Sequence, residues 1–286
     1  IYTTITFSSM LVLFKYFGKY GVNNLQAIIV NYFTAGTLSL IVAHNNDIKI
    51  SLPDIIYSTY IIQSLIIGFL FIVTFNLLAF GTQKIGIAIS TVANKMSMII
   101  PVIIGISLFS EKLGMFKLIG IVLAISAIYM TSTKSGKLSF DKKFLPIILL
   151  IFFGQGMADG TLSWAQKFSI NDENTPLFFA SVFLIAGILG SVFLIYEKIK
   201  NGFKLEFKNL IWGIGLGIPN YLTLHFFVRS LQSPIFESSQ VFPIVNMGVI
   251  VFTALAGILL FREKLSFFNW GGILVAVLAI SLITFF

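Results

Sequence analysis

The chain has 286 residues, 57% of them apolar and only 10% charged, with a mean hydropathy of +0.97. Soluble domains are nearer half apolar and a quarter charged, so water is excluded as the main solvent. The net charge of +8 invites nucleic acid as a partner, but the basic residues sit between apolar runs and read as anchors at the surface of a lipid bilayer.

A helix needs about 20 apolar residues to cross the hydrocarbon core. Ten runs qualify: 1–17, 25–43, 57–80, 86–109, 114–132, 145–166, 176–196, 209–230, 235–260 and 267–286. Backbone groups in lipid must be satisfied within the segment, so the runs predict an all-α integral membrane protein of ten transmembrane helices. The first run opens at Ile1 with no charged n-region and no cleavage site. No signal peptide is recognisable there, and a start without Met points to a trimmed N-terminus. Polar punctuation separates the runs, as at His44-Asn45-Asn46-Asp47 and Asn171-Asp172-Glu173-Asn174. Cysteine is absent, which excludes disulfides and thiol chemistry.

The two halves repeat. Leu108-Phe109-Ser110-Glu111-Lys112-Leu113 recurs as Leu260-Phe261-Arg262-Glu263-Lys264-Leu265, with Asn94 falling on Asn246, Gly105 on Gly257, Gly120 on Gly272 and Ala127 on Ala279. The first helices correspond more weakly, through Ala35-Gly36 and Ala186-Gly187. The expected division is residues 1–133 and 144–286 around a linker at 134–143. Five helices per unit is an odd number, so the second unit enters the bilayer upside down and the repeats are inverted. Glu111 and Glu263 each lie between two helices, where a carboxylate meets free amides and a positive helix end, and read as structural turns. Five basic residues fall on the side of the termini (Lys49, Lys112, Lys117, Lys167 and Arg229) against thirteen on the other. That count favours both termini outside.

The polar residues inside the runs are the candidates for function. In the second and third segments, Asn31 and Asn76 read as helix–helix hydrogen bonds. Lys95 sits near the middle of the fourth, where a Lys costs about 2.5 to 3.5 kcal/mol on insertion scales. Thr91, Asn94, Lys95 and Met98 share one helical face. Lys95 reads either as the counter-charge for a substrate carboxylate or phosphate, or as half of a structural ion pair. Pro101 follows, as a kink or as the source of a freed carbonyl. In the sixth segment, Gln155, Asp159, Ser163 and Gln166 form a polar stripe. Asp159 is a partner for Lys95, a proton-coupling site or an interfacial acid. The eighth carries Pro219, Asn220, Tyr221 and His225, the last able to titrate near neutral pH and couple transport to protons, or simply to bond a neighbouring helix. Glu237 begins the ninth as a first-turn acid, and Gln240, Pro243 and Met247 share a face there beside Asn246. Met247 is the symmetry mate of Lys95, so charge differs between the halves while the amides match.

Ten helices in two inverted halves, each with a Glu-Lys-Leu turn and a following Gly-Ile helix, resemble the EamA-type branch of the drug/metabolite transporter superfamily. The most specific stretches are Ser90–Leu113 with Gly120 and Gln240–Leu265 with Gly272. The resemblance implies a transporter of small metabolites, often an exporter of amino acids or drug-like compounds. Its cavity is lined by the third, fourth, eighth and ninth helices, with the first and sixth as gates. It also implies cytoplasmic termini, against the lysine count, so the sidedness stays open. The small multidrug exporters of the superfamily use a Glu in their first helix. Residues 1–17 contain no acid, so that chemistry does not carry over.

The leading expectation is a secondary carrier, expected in a bacterial inner membrane and as a monomer or homodimer. Its small-molecule substrate is expected to be anionic or zwitterionic, held at the midplane by Lys95, Asn94, Thr91, Gln155, Asn220, Tyr221, Gln240 and Asn246. No cofactor or metal is expected, because two His and no Cys supply neither a zinc motif nor a nucleophilic dyad at depth. A membrane scaffold or an intramembrane enzyme are the alternatives.

Overall fold

The structure is a computed structural model that describes residues 1–101, 103–104, 114–134, 137–138, 142–171, 173–202, 205–231 and 238–285. Its helices are α1 (Tyr2–Tyr20), α2 (Asn24–Asn45), α3 (Ile61–Lys84), α4 (Ile87–Met96), α5 (Met115–Ser132), α6 (Leu145–Phe168), α7 (Thr175–Asn201), α8 (Phe207–Leu231), α9 (Ser238–Phe261) and α10 (Phe267–Phe285). Each answers to one of the ten predicted runs. Five of them cover stretches long and apolar enough to cross a membrane, Asn24–Asn45, Ile61–Lys84, Lys142–Phe168, Thr175–Glu197 and Phe207–Phe227, and shorter apolar helices follow α3 and close both halves. Three small elements were not expected: a helical turn at Leu52–Ile56, an antiparallel ladder pairing Thr133 with Leu138 at the start of the linker, and a 3-10 turn at Lys142–Phe144.

Local chemistry sets the ends. Gly21, at φ 60°, takes the left-handed conformation that a side chain resists and turns α1 into α2. Asn23 then caps α2 by accepting from the Gln26 amide at 3.1 Å. Ser266 and Asn269 bond reciprocally at the start of α10 in the manner of a capping box. The Asn269 amide also reaches the Met130 and Thr131 carbonyls at the end of α5.

Packing repeats in pairs when five is added to each helix number. The contacts α2–α8 and α7–α3 correspond, as do α3–α6 with α8–α1, α1–α9 with α6–α4, and α4–α5 with α9–α10. The helices α5 and α10, α2 and α7, and α4 and α9 each meet their own counterpart. This is the contact pattern of a two-fold relation between the halves. Lipid gives apolar surface no reason to associate, so close approach of small residues supplies the cohesion. Gly213 and Gly217 on α8 lie against the Ala27 and Asn31 carbonyls of α2, where an added Cβ would come within 2.6 and 2.8 Å. Phe14, Phe17 and Tyr32, all fully buried, fill the centre between α1, α2, α3 and α8.

Candidate functional site

The fourth predicted run does not form one helix. α4 stops at Met96, Ser97 and Met98 form a turn, and helix resumes at 99. Pro101 supplies the reason: it has no N–H to give the Ser97 carbonyl four residues earlier. That carbonyl accepts instead from Ile100 N at 2.9 Å, and the Ser97 hydroxyl turns back onto the Asn94 carbonyl. Gly156 of α6 makes room for the break, since a Cβ there would lie 2.8 Å from the Ser97 oxygen. Breaks of this kind expose main-chain polarity at mid-depth, and lipid tolerates them only against protein or a wet cavity.

Lys95 lies in the last turn of α4, two residues before the break. Its Nζ sits over the Phe7 ring of α1, 3.5 Å from the centroid. No ion pair within 4.0 Å joins it to Asp159 on α6. The carboxylate is held by its neighbour, with Gln155 Nε2 donating to Asp159 Oδ1 at 2.8 Å. The same Gln155 accepts from Asn94 Nδ2 at 3.1 Å through its Oε1. An unbroken relay therefore runs from α4 to the acid on α6. Lys95, Gln155 and Asp159 are partly exposed, whereas Asn94 is buried with its Oδ1 unpartnered. The arrangement gathers one cation, one anion and an unpartnered amide oxygen where α4 meets α6.

The other expected residues disperse. Asn246 stays close, with its amide nitrogen 4.0 Å from the Met98 sulfur just beyond the break. Met247 instead receives the Ser281 hydroxyl of α10. Thr91 is fully buried, and its hydroxyl is bonded to the Ile87 carbonyl of its own helix. Asn220 bonds Asn31 at 3.0 Å inside the α2–α8 contact, which makes it a helix–helix fastener as Asn31 was read. Asn76 fails that reading: it donates to Ile72 one turn back on its own helix. Tyr221 and His225 line a separate cleft of about 260 Å³ between α2, α7 and α8, together with Ser39, Asn46 and Arg229. Ser163 bonds the Asp159 carbonyl and Gln166 is exposed, so the stripe on α6 ends at the acid. Gln240 and Pro243 lie in α9, but their side chains, like Glu237 and the whole Leu108–Leu113 turn, fall outside the described residues. Among the described residues no group of His, Asp and Glu is placed to hold a metal ion.

At the end of the bundle opposite the termini, a hollow of about 720 Å³ is lined by Lys15, Lys19, Lys84, Gln83, Asn209 and others. Phe17 closes it from within, packed edge-on against Phe14 and Trp212. Beside it Glu263 bridges the halves. Its Oε1 accepts from Lys15 Nζ at 2.8 Å and from the Ile87 amide at the start of α4 at 3.0 Å. The repeat had marked Glu263 as a turn residue. The helix end it satisfies, however, belongs to α4 in the other half. Sequence spacing carries no sign of that, because Ile87 is 176 residues away. Phe7 was missed for a similar reason: one Phe among 31 has no signal until Lys95 stands beneath it.

Residues 143–285, half of the chain, match the EamA-like transporter family. The chain belongs to that family. An uncharacterized protein of Haemophilus influenzae is 28% identical over 263 residues, covering 89% of this chain and 86% of its own length. A solved crystal structure superposes with a TM-score of 0.65 at 11% identity, over 99% of this chain and 96% of the other, which supports the fold alone. EamA-like proteins are membrane transporters, so the relay around Lys95 belongs to a protein that moves a small molecule and the enzyme reading falls away.

Proposed function

We propose that the protein is a secondary carrier, an exporter in a bacterial inner membrane, for small metabolites that carry a carboxylate or phosphate. The substrate is anionic or zwitterionic, as amino acids are, and the two halves alternate access around Lys95. The observation that carries this reading is a lysine near the middle of the fourth apolar run that has no direct ion pair among the described residues and lies in the last turn before a helix break. A charge so costly in lipid is retained where it serves a ligand or an ion path, and discontinuous helices mark such sites in transporters. Asn94, Gln155 and Asn246 line the same region and supply neutral contacts. Asp159 is the better candidate for proton coupling, since it is bonded to the Gln155 relay while His225 belongs to a separate cleft.

The test has two stages. A thermal-shift panel of amino acids, dicarboxylates and sugar phosphates on purified protein identifies ligands by the rise in apparent stability. Uptake of the best of them into proteoliposomes is then compared for the natural protein and Lys95→Met. The substitution is expected to abolish saturable uptake while the thermal midpoint without ligand holds. Unchanged uptake would remove Lys95 from the site and this reading with it.

A further inference from the structure

The contact between Lys95 and Phe7 is the closest cation–aromatic approach among the described residues. The next is 5.1 Å, from Lys143 to Phe144, and the others lie between 5.7 and 6.0 Å. At 3.5 Å from the centroid, the ammonium is seated on the face of the ring, where the quadrupole is most negative. Phe7 comes from α1, whereas Asp159 and the Gln155 relay lie on α6 with no direct bond to the ammonium. Among the described residues no carboxylate is in direct contact with it, and the ring supplies the near neighbour that a carboxylate otherwise would. We propose that Phe7 is an internal ligand for Lys95, which an incoming anion must displace. The strength of this cation–π contact then sets the affinity of the site. The proposal rests on Lys95 being the anion receptor.

The ring also explains why no ion pair is needed. A carboxylate bonded directly to Lys95 would neutralise it and compete with substrate at full charge. An aromatic face stabilises the ammonium more weakly and leaves it available to a stronger partner. A carboxylate can displace a quadrupole.

Fluorination of the ring provides a graded test, because each fluorine drains the negative face with little change of shape. Position 7 is filled with phenylalanine, 4-fluoro-, 3,5-difluoro- or 3,4,5-trifluorophenylalanine in the full chain reconstituted in lipid. Lys95 is probed with cyanate, which carbamylates free amines, and each lysine is read by peptide mass mapping. Carbamylation of Lys95 is expected to rise stepwise, by about twofold to about thirtyfold at the trifluoro ring. Lys19, which faces Tyr16 and Tyr20, serves as the reference and stays flat. Acetate, the smallest carboxylate, is then titrated as a protectant, and its half-protecting concentration is expected to fall along the same series. A flat Lys95 rate overturns the contact. A rising rate with an unchanged half-protecting concentration overturns the competition. Acetate that protects none of the four proteins sinks Lys95 as an anion receptor, the reading beneath, while the rates still decide whether Phe7 holds the ammonium.

Discussion

Gln155 spends both ends of its amide inside the site, accepting from Asn94 and donating to Asp159. Leucine at this position leaves a buried amide nitrogen and an intramembrane carboxylate without their partner. An abandoned buried polar group costs about 1 to 3 kcal/mol. Gln155→Leu is therefore expected to lower unfolding stability in detergent by about that amount, as measured by denaturant titration. No loss would mean that water replaces the relay. Part of this arrangement was legible in the sequence. Lys95 and Asp159 announce themselves because charge is rare at depth, and the i, i+4 spacing puts Gln155 on the same face as Asp159. Their partner Phe7 was not legible. Apolar residues fill the chain, and which ring meets a cation is decided by the approach of α1 to α4, a tertiary fact.

At the level of elements, the break after Met96 and the bridge at Glu263 are two treatments of the same problem, backbone polarity in a medium that offers no water. The break keeps its carbonyls busy with Ser97 and Ile100. The bridge gives the α4 start an acceptor from across the repeat boundary, held in a chain reversal where Arg262 takes φ 53° and the Glu263 amide bonds back to Gly257. Lys15 and Glu263 are each largely buried, with side chains 19% and 15% exposed. Removing the carboxylate leaves an uncompensated ammonium and an orphan amide together. Glu263→Ala is expected to destabilise by about 1 to 3 kcal/mol. Lys15→Ala is expected to cost less, and the double variant less than the sum, with a coupling of at least about 0.5 kcal/mol. Additive costs would dissolve the bridge as an energetic unit. The Glu-Lys-Leu repeat pointed to a carboxylate at a helix end. Only the fold reveals that the end lies in the opposite half.

Over the whole molecule, helix count and pairing follow from pattern alone, because run length fixes spans and an odd number of spans per repeat fixes inversion. The paired contacts between helices five apart are what that inversion requires. Sidedness is different, since inversion makes the two ends alike in backbone and leaves charge to tell them apart. Lys15, Lys19 and Lys84 gather with Glu206 around the hollow at the end opposite the termini, and Lys208, paired with Glu206 at 2.7 Å, lies 4.0 Å from where a side chain on Gly21 would begin. A cluster of that sign belongs with the cytoplasmic leaflet. The natural absence of cysteine makes the assignment easy to test, because any introduced thiol is the only one present. Lys49→Cys and Lys208→Cys replace exposed residues at opposite ends. A membrane-impermeant maleimide added to intact cells is expected to label the first and to reach the second only after permeabilisation. The reverse pattern would place the lysine-lined hollow outside. An exporter of anions, as proposed above, would then have to release its substrate into a vestibule that attracts it, whereas with the hollow inside the same charge would gather substrate for loading.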